Sequence, residues 1–168
     1  MSRSGFLVQM TGLSGAGKST LAFASAQRLR EEGFRVEVID GDEYRKGLCA
    51  DLGFSKKDRN TNIRRLGFVG RVLARNGVIA IMSAINPYDA VREEIGGKLV
   101  YVKTALEAVV HRDVKGLYAK ALSGEIKNFT GISDPFEEPT CPDLTIETDK
   151  DTPYNCTTLL CDFIRANL

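Results

Sequence analysis

The sequence predicts an α/β protein: a three-layer sandwich in which a mostly parallel five-stranded sheet lies between helices. Three observations lead there. Short apolar runs of strand length alternate with longer stretches whose apolar residues recur at helical spacing. One run, "VIAIMSAI" (78–85), is apolar without interruption, as expected of a strand covered on both faces. A Gly-rich turn, "TGLSGAGKST" (11–20), stands where the first strand passes into the first helix.

Taken in order, "GFLVQMT" (5–11) is a short apolar strand feeding that turn. "KSTLAFASAQRLREEG" (18–33) reads as a helix with Leu21, Ala24, Ala26 and Leu29 among its apolar positions and Gly33 as its stop. "RVEVID" is a strand ending at Asp40. From 56 to 76, Ile63, Leu66, Val69, Val72 and Leu73 recur at helical spacing, and Gly77 follows the last turn. "VIAIMSAI", "KLVYVK" and "LTIET" supply the third, fourth and fifth strands, and a helix over 154–168 closes the sequence. Strands separated by helices imply parallel pairing through right-handed crossovers. The stretch 112–142, rich in Lys, Gly and Pro, is long for a plain connection and is expected to be an irregular, mobile lid, the alternative being an ordinary surface excursion. With no repeat, linker or low-complexity segment, residues 1–168 are expected to form one domain.

Composition narrows the function. Hydrophobic residues make up 43% and charged residues 27% of 168, ordinary proportions for a globular protein. A net charge of +1 argues against a nucleic-acid binder, which usually carries a strongly basic face. The N-terminal "MSRSGFLVQM" lacks the apolar run of a signal peptide, and no stretch approaches the roughly 20 residues of a membrane span. Cys49, Cys141, Cys156 and Cys161 form no C-x-x-C pair, and with a lone His111 they make no convincing zinc set. Thiols in a reducing compartment, the cytoplasm, are the expectation.

The turn has the spacing G-x-x-x-x-G-K-[ST] of a phosphate loop, with Gly12, Gly17, Lys18 and Ser19 in the fixed positions. Glycines let backbone N–H groups turn inward around phosphate oxygens, and the following helix offers them the positive end of its dipole. Gly12, Ser14, Gly15, Ala16, Gly17, Lys18, Ser19 and Thr20 are therefore expected to hold ATP. Lys18 reaches the transferring phosphoryl group, and the Ser19 hydroxyl is a ligand for Mg²⁺. Because the loop follows a strand and opens a helix, the fold is of the P-loop NTPase type.

Mg²⁺ also needs a carboxylate from a nearby strand end. The third strand supplies none: it runs past Ser83 to Asn86. The second strand continues into "DGDEYR", where Asp40 and Asp42 flank a glycine. Asp40 is expected to hold metal-bound water or to accept the acceptor's hydroxyl proton. The alternative for either aspartate is to cap the next helix. The middle of the sequence carries Arg45, Arg59, Arg64, Arg65, Arg71 and Arg75. Arg59 and Asn62, three apart, share a helix face. Guanidinium groups facing a cleft suit a doubly anionic acceptor, and Phe54 is placed to stack on a purine, whereas Arg71 and Arg75 read as a solvated face.

The set "GLSGAGKST", "DGDEYRKGL", "LGFSKKDRNTNIRR", "INPYDAVR", "RDVKGLYAKALSGEIKNFTGI" and "DPFEEP" resembles the adenylyl-sulfate kinase family over 6–148. The phosphate loop alone is common to many proteins; "LGFSKKDRNTNIRR" together with "RDVKGLYAKALSGEIKNFTGI" is far more specific. The resemblance implies transfer of the γ-phosphoryl of MgATP to the 3′-hydroxyl of adenosine 5′-phosphosulfate. It implies an acceptor site of Arg45, Phe54, Arg59, Asn62, Ile85, Lys127 and Phe129, with Asp42 beside it and the adenine between Phe54 and Phe129. It assigns Asp40 to the 3′-hydroxyl and Arg112 to the ATP base, and it implies a homodimer. In the lid, Lys115, Lys120 and Lys127 neutralise phosphate on closure, while Gly116, Gly124 and Gly131 serve as hinges. His111, beside it, is expected in a surface or packing role rather than in acid–base chemistry.

One departure matters. Many relatives carry a serine where this sequence has Asn86, and an amide cannot carry a phosphoryl group as that hydroxyl can. Direct transfer, without a phosphoserine relay, is the expectation. Two alternatives stay open: a related P-loop kinase with another small-molecule or nucleotide acceptor, and a nucleotide-dependent binding module.

Overall fold

A computed structural model describes residues 5–168. The elements are, in order, β1 (Leu7–Thr11), α1 (Lys18–Glu31), β2 (Val36–Asp40), α2 (Gly41–Tyr44), α3 (Lys56–Arg75), β3 (Ile79–Ser83), α4 (Asp89–Ile95), β4 (Lys98–Lys103), α5 (Leu106–Arg112), α6 (Leu117–Leu122), β5 (Leu144–Glu147) and α7 (Pro153–Ala166). The strands lie in the order β2-β3-β1-β4-β5, and every pairing in this sheet is parallel, where the sequence reading allowed for a mixed one.

Alternation along the buried strands sorts side chains to two faces. Val8, Met10, Val38, Ile79, Ile81, Val100 and Val102 pack under α1 and α7, against Leu21, Leu29, Leu160 and Ile164. Leu7, Ile39, Ala80 and Met82 face the other way, onto Ile63 and Leu66 of α3 and Val91 and Ile95 of α4. Both faces are covered, so the apolar runs show no polar alternation. Gly70 lets α3 approach closely: a Cβ there would lie 2.6 Å from Leu7 Cδ1. Local signals set the helix starts. The Ser55 hydroxyl accepts the Asp58 N–H at the head of α3, and Thr152 accepts the Asn155 N–H at the head of α7. The closing helix therefore spans 153–166 rather than 154–168.

Four short helices, α2, α4, α5 and α6, carry no element assignment in the sequence reading. The last of these corrects the view that 112–142 is wholly irregular. A small apolar cluster of Val109, Tyr118, Ala121 and Phe129 stabilises it, a gain that residue-by-residue polarity does not display.

The turn after β3 is held by a buried arginine. The Arg92 side chain is 1% exposed and pairs with Asp89 at 2.5 Å. Its Nε donates to the Asn86 carbonyl at 2.8 Å and its Nη2 to the Glu137 carbonyl at 2.6 Å. Gln9 of β1 adds to this: its Nε2 donates to the Arg92 and Gly96 carbonyls, and its Oε1 accepts from Asn86 Nδ2 at 3.0 Å. Arg92→Met takes the guanidinium donor from Asp89 and from the Glu137 and Asn86 carbonyls, leaving Asn86 only the Thr11 hydroxyl, and we expect it to lower stability by about 3 kcal/mol. Asp89→Asn, at a carboxylate 39% exposed, should lower it by only about 1 kcal/mol. Urea unfolding checks both, and equal losses would contradict this account.

Candidate active site

All the parallel strands deliver their C-terminal ends to one edge, and a cavity of about 400 Å³ opens there. One wall is the phosphate loop. Gly12 has φ of 156°, and a Cβ on it would lie 2.4 Å from the Val102 carbonyl oxygen, so the loop can leave β1 only through glycine. Gly17 adopts φ of 98° immediately before α1, and no side chain caps the N–H groups of that helix. They face the cavity mouth as an anion site. Ser14, Gly15, Gly17, Lys18, Ser19 and Thr20 line the cavity; Gly12 and the fully buried Ala16 shape the loop from behind.

Lys18 is 7% exposed, and its Nζ donates to the carbonyls of Gly12 and Leu13 at 2.8 and 2.7 Å. Burial, with a smaller push from Lys115, lowers its pKa to about 7, against the pull of Asp42 and Asp40. A phosphate brought beside this desolvated amine would stabilise its charged form.

Asp40 ends β2 and caps the next helix, the alternative reading of its place in the sequence. Oδ1 accepts the N–H groups of Asp42 and Glu43 at 3.0 and 3.2 Å, capping α2. Oδ2 accepts the Ser19 hydroxyl at 2.5 Å. The cap aims the carboxylate and leaves its other oxygen at the phosphate loop. The two oxygens on Ser19 and Asp40 are hard donors, which suit Mg²⁺ sharing its shell with water and phosphate. No cluster of three or more His, Cys, Asp or Glu suited to a metal occurs among the described residues.

The far wall comes from α3 and the turn before it. Arg59 and Asn62 share one helix face and line the cavity beside Arg45 and Phe54, as their spacing predicts. Phe54 is 61% exposed, with the Arg45 and Arg59 guanidinium carbons 4.6 and 5.5 Å from its ring centre. Arg45 donates to the Gly53 carbonyl at 2.7 Å; Arg59 donates to those of Phe54 and Asn128 at 3.0 and 2.5 Å. The other arginines of this stretch turn away: Arg64 to Glu94, Arg65 to Asp51, and Arg71 to the Ile95 carbonyl. The floor is Ile85 and Asn86. The Ile85 carbonyl accepts from the Gly12 N–H and the Thr11 hydroxyl, which ties the floor to the phosphate loop. Asn86 is buried with φ of 49°, a conformation asparagine tolerates. Two buried amide oxygens, Asn62 Oδ1 and Asn86 Oδ1, find no hydrogen-bond partner among the described residues.

The lid closes the fourth side. Asp113, Val114, Lys115, Leu117 and Tyr118 reach the cavity. Lys115 pairs with Asp42, and the Tyr118 hydroxyl donates to the Ser14 carbonyl at 2.7 Å. Gly116, Gly124 and Gly131 all have positive φ. Three expected site residues do not join. The Phe129 ring packs edge-on against Tyr118 at 5.0 Å, and its carbonyl accepts the N–H groups of Ile132, Ser133 and Asp134. The ring packs into the lid's apolar cluster and does not line the cavity. Lys127 is exposed and off the cavity wall. Arg112 is exposed and donates to the Thr148 carbonyl at 3.3 Å instead of lining the cavity. Lys120 is paired with Glu125, and His111 is exposed, in line with a surface role. Sequence reasoning missed Tyr118, for which no signal exists, and the scaffold residues Thr11, Gln9 and Arg92. It passed over Ser83, which occupies the strand end where an acid was sought.

Comparison with known proteins agrees with this layout. The family model of adenylylsulphate kinase matches residues 4–147. An adenylyl-sulfate kinase of Chloroflexus aurantiacus is 56% identical over 152 residues, 88% of this chain and 82% of that protein. A probable adenylyl-sulfate kinase of Synechocystis is 54% identical over 154 residues, 89% of this chain and 87% of that protein. Among solved structures, the Mycobacterium tuberculosis APS kinase in complex with AMPPNP and APS superposes with a TM-score of 0.88 at 40% identity, covering 96% of this chain and 98% of that one. A phosphate loop facing an arginine-lined wall, with this extent of identity, leaves one assignment: the chain belongs to the adenylylsulphate kinase family.

Proposed function

We infer that the chain is an adenylyl-sulfate kinase, which transfers the γ-phosphoryl of MgATP to the 3′-hydroxyl of adenosine 5′-phosphosulfate and yields 3′-phosphoadenosine 5′-phosphosulfate. The observation that carries this is a single cavity with a phosphate loop at one end and Arg45, Phe54, Arg59 and Asn62 at the other. The loop N–H groups, the start of α1 and Lys18 hold the triphosphate. Ser19 and Asp40 are the residues that would hold magnesium, which would supply positive charge to offset that of the transferring phosphoryl group. Asp40, fixed by its cap, orients the acceptor hydroxyl toward the loop. Arg45 and Arg59 take the phosphosulfate, Phe54 offers its face to the adenine, and the unpartnered Asn62 amide oxygen accepts from the acceptor nucleoside. Lid closure over Lys115 and Tyr118 excludes water, to which the phosphoryl group would otherwise be lost.

Two further points extend this reading. Four unpaired thiols suit a reducing compartment, the cytoplasm. No helix among the described residues is long and apolar enough to cross a membrane. The family resemblance supports a pair of copies in solution, and sedimentation at twice the chain mass would bear it out.

The acceptor is tested by ADP release with adenosine 5′-phosphosulfate beside 5′-AMP, where turnover should collapse for the compound without sulfate. Arg59→Ala should raise the KM for the sulfated acceptor by about tenfold while the KM for ATP stays within about twofold. A rise in the ATP value instead would mean that the acceptor wall is misassigned.

Asn86 implies direct transfer, because no hydroxyl stands at that turn to relay the group. Protein incubated with γ-labelled ATP alone should carry no stable label; stoichiometric phosphoserine at Ser83 would refute direct transfer.

Lys18 makes nucleotide binding pH-dependent, and the sign follows from its lowered pKa. Bound phosphates raise that pKa above 7, so below pH 7 the group is protonated both free and bound and contributes no pH dependence. Above pH 7 the free side chain is largely neutral, binding takes up a proton, and affinity declines as pH rises. Calorimetry at about pH 8 in two buffers of different ionisation enthalpy should find uptake approaching about one proton with saturating Mg²⁺, and none for Lys18→Ala. Zero uptake by the wild-type protein would contradict the charge state assigned to Lys18.

A further inference from the structure

Ser83 ends β3, is 3% exposed, and stands in register beside Asp40 on β2. It also lines the cavity. Its hydroxyl lies 3.1 Å from the Ser19 hydroxyl, a contact whose direction geometry alone leaves open. Proton counting decides it. Asp40 Oδ1 accepts from two backbone N–H groups and Oδ2 from Ser19, so the carboxylate acts as an acceptor at both oxygens. The single proton of Ser19 is thereby committed to Asp40. Ser83 must then donate to Ser19, not the reverse. The Ser19 oxygen has two lone pairs: one receives the Ser83 proton, and the other remains for a cation.

We propose that Ser83 is the positioning residue of the metal site. Its hydroxyl donates to Ser19 Oγ and so fixes both the Ser19 proton on Asp40 and the direction of the remaining lone pair. The acid that the end of β3 lacks is supplied one strand over by Asp40, and Ser83 keeps the ligand hydroxyl aligned between the two strands. The chemistry resembles that of groups behind metal ligands generally, whose loss weakens metal affinity by roughly 10–100-fold without removing a ligand. The proposal rests on the donor site described above, with Ser19 and Asp40 as the residues toward Mg²⁺.

The test measures binding, not turnover. Calorimetry gives the AMPPNP dissociation constant of the full chain with Mn²⁺ and with EDTA, and the ratio of the two is the metal's contribution. In Ser83→Ala that ratio should shrink by about tenfold, with the EDTA value and the thermal midpoint unchanged. Ser83→Thr, which keeps the hydroxyl, should restore it. If the alanine variant does not fold, Ser83→Cys, close in size but a weaker donor, should shrink the ratio in the same direction. An unchanged ratio in the alanine or cysteine variant would overturn the proposal, as would a threonine variant no better than alanine. Wild-type protein that binds no AMPPNP in either condition would instead overturn the donor site and the Ser83 role with it.

Discussion

The hydrogen bond between Ser19 and Asp40, 2.5 Å long, joins the phosphate loop on β1 to the end of β2, two positions away across the sheet. Everything reactive is placed relative to it. Between those strands lies β3, and its Ser83 closes the gap, so three separate stretches of chain meet at two hydroxyls and a carboxylate. The constraint that permits this is parallel pairing. Parallel strands bring their C-terminal ends to the same edge, where loops carry the functional groups and helix starts point inward.

Beneath that edge runs a second layer of polar contacts that touches no reacting group. Thr11 shares its hydroxyl between the Ile85 and Asn86 carbonyls, Gln9 holds the Asn86 amide, and Arg92 ties that turn to Asp89 and to the segment before β5. Each is buried, and each would be costly if unsatisfied. The network thus makes the cavity floor rigid at the point where acceptor and donor must meet. It also accounts for Asn86: an amide suits a position with φ of 49° that faces Gln9 Oε1.

The lid touches both ends of the cavity. Tyr118 reaches the phosphate loop at Ser14, whereas the Asn128 carbonyl is gripped by Arg59 of the acceptor wall. A residue expected to take the acceptor's anionic group is therefore also a fastening of the lid, and filling one end of the cavity bears on the closure of both.

Much was legible in the sequence. The strand order along the chain, the long helices α1, α3 and α7, the phosphate loop and the cap at the Asp40 turn follow from local rules: period, glycine placement and N-terminal capping. The shared face of Arg59 and Asn62 follows from helical geometry alone. Where side chains answer to distant partners, local rules fall silent. Phe129 and Tyr118 lie eleven positions apart in a stretch of mixed polarity with no single period, and only packing decided that Tyr118 lines the cavity while Phe129 fills the lid. Arg64 and Arg65 are indistinguishable from Arg59 by type, and the acids Glu94 and Asp51 that claim them come from elsewhere in the chain. Short-range chemistry wrote the elements and the loop; which residues meet across 20 to 130 positions was settled by tertiary structure, because burial and charge pairing depend on neighbours that sequence distance hides.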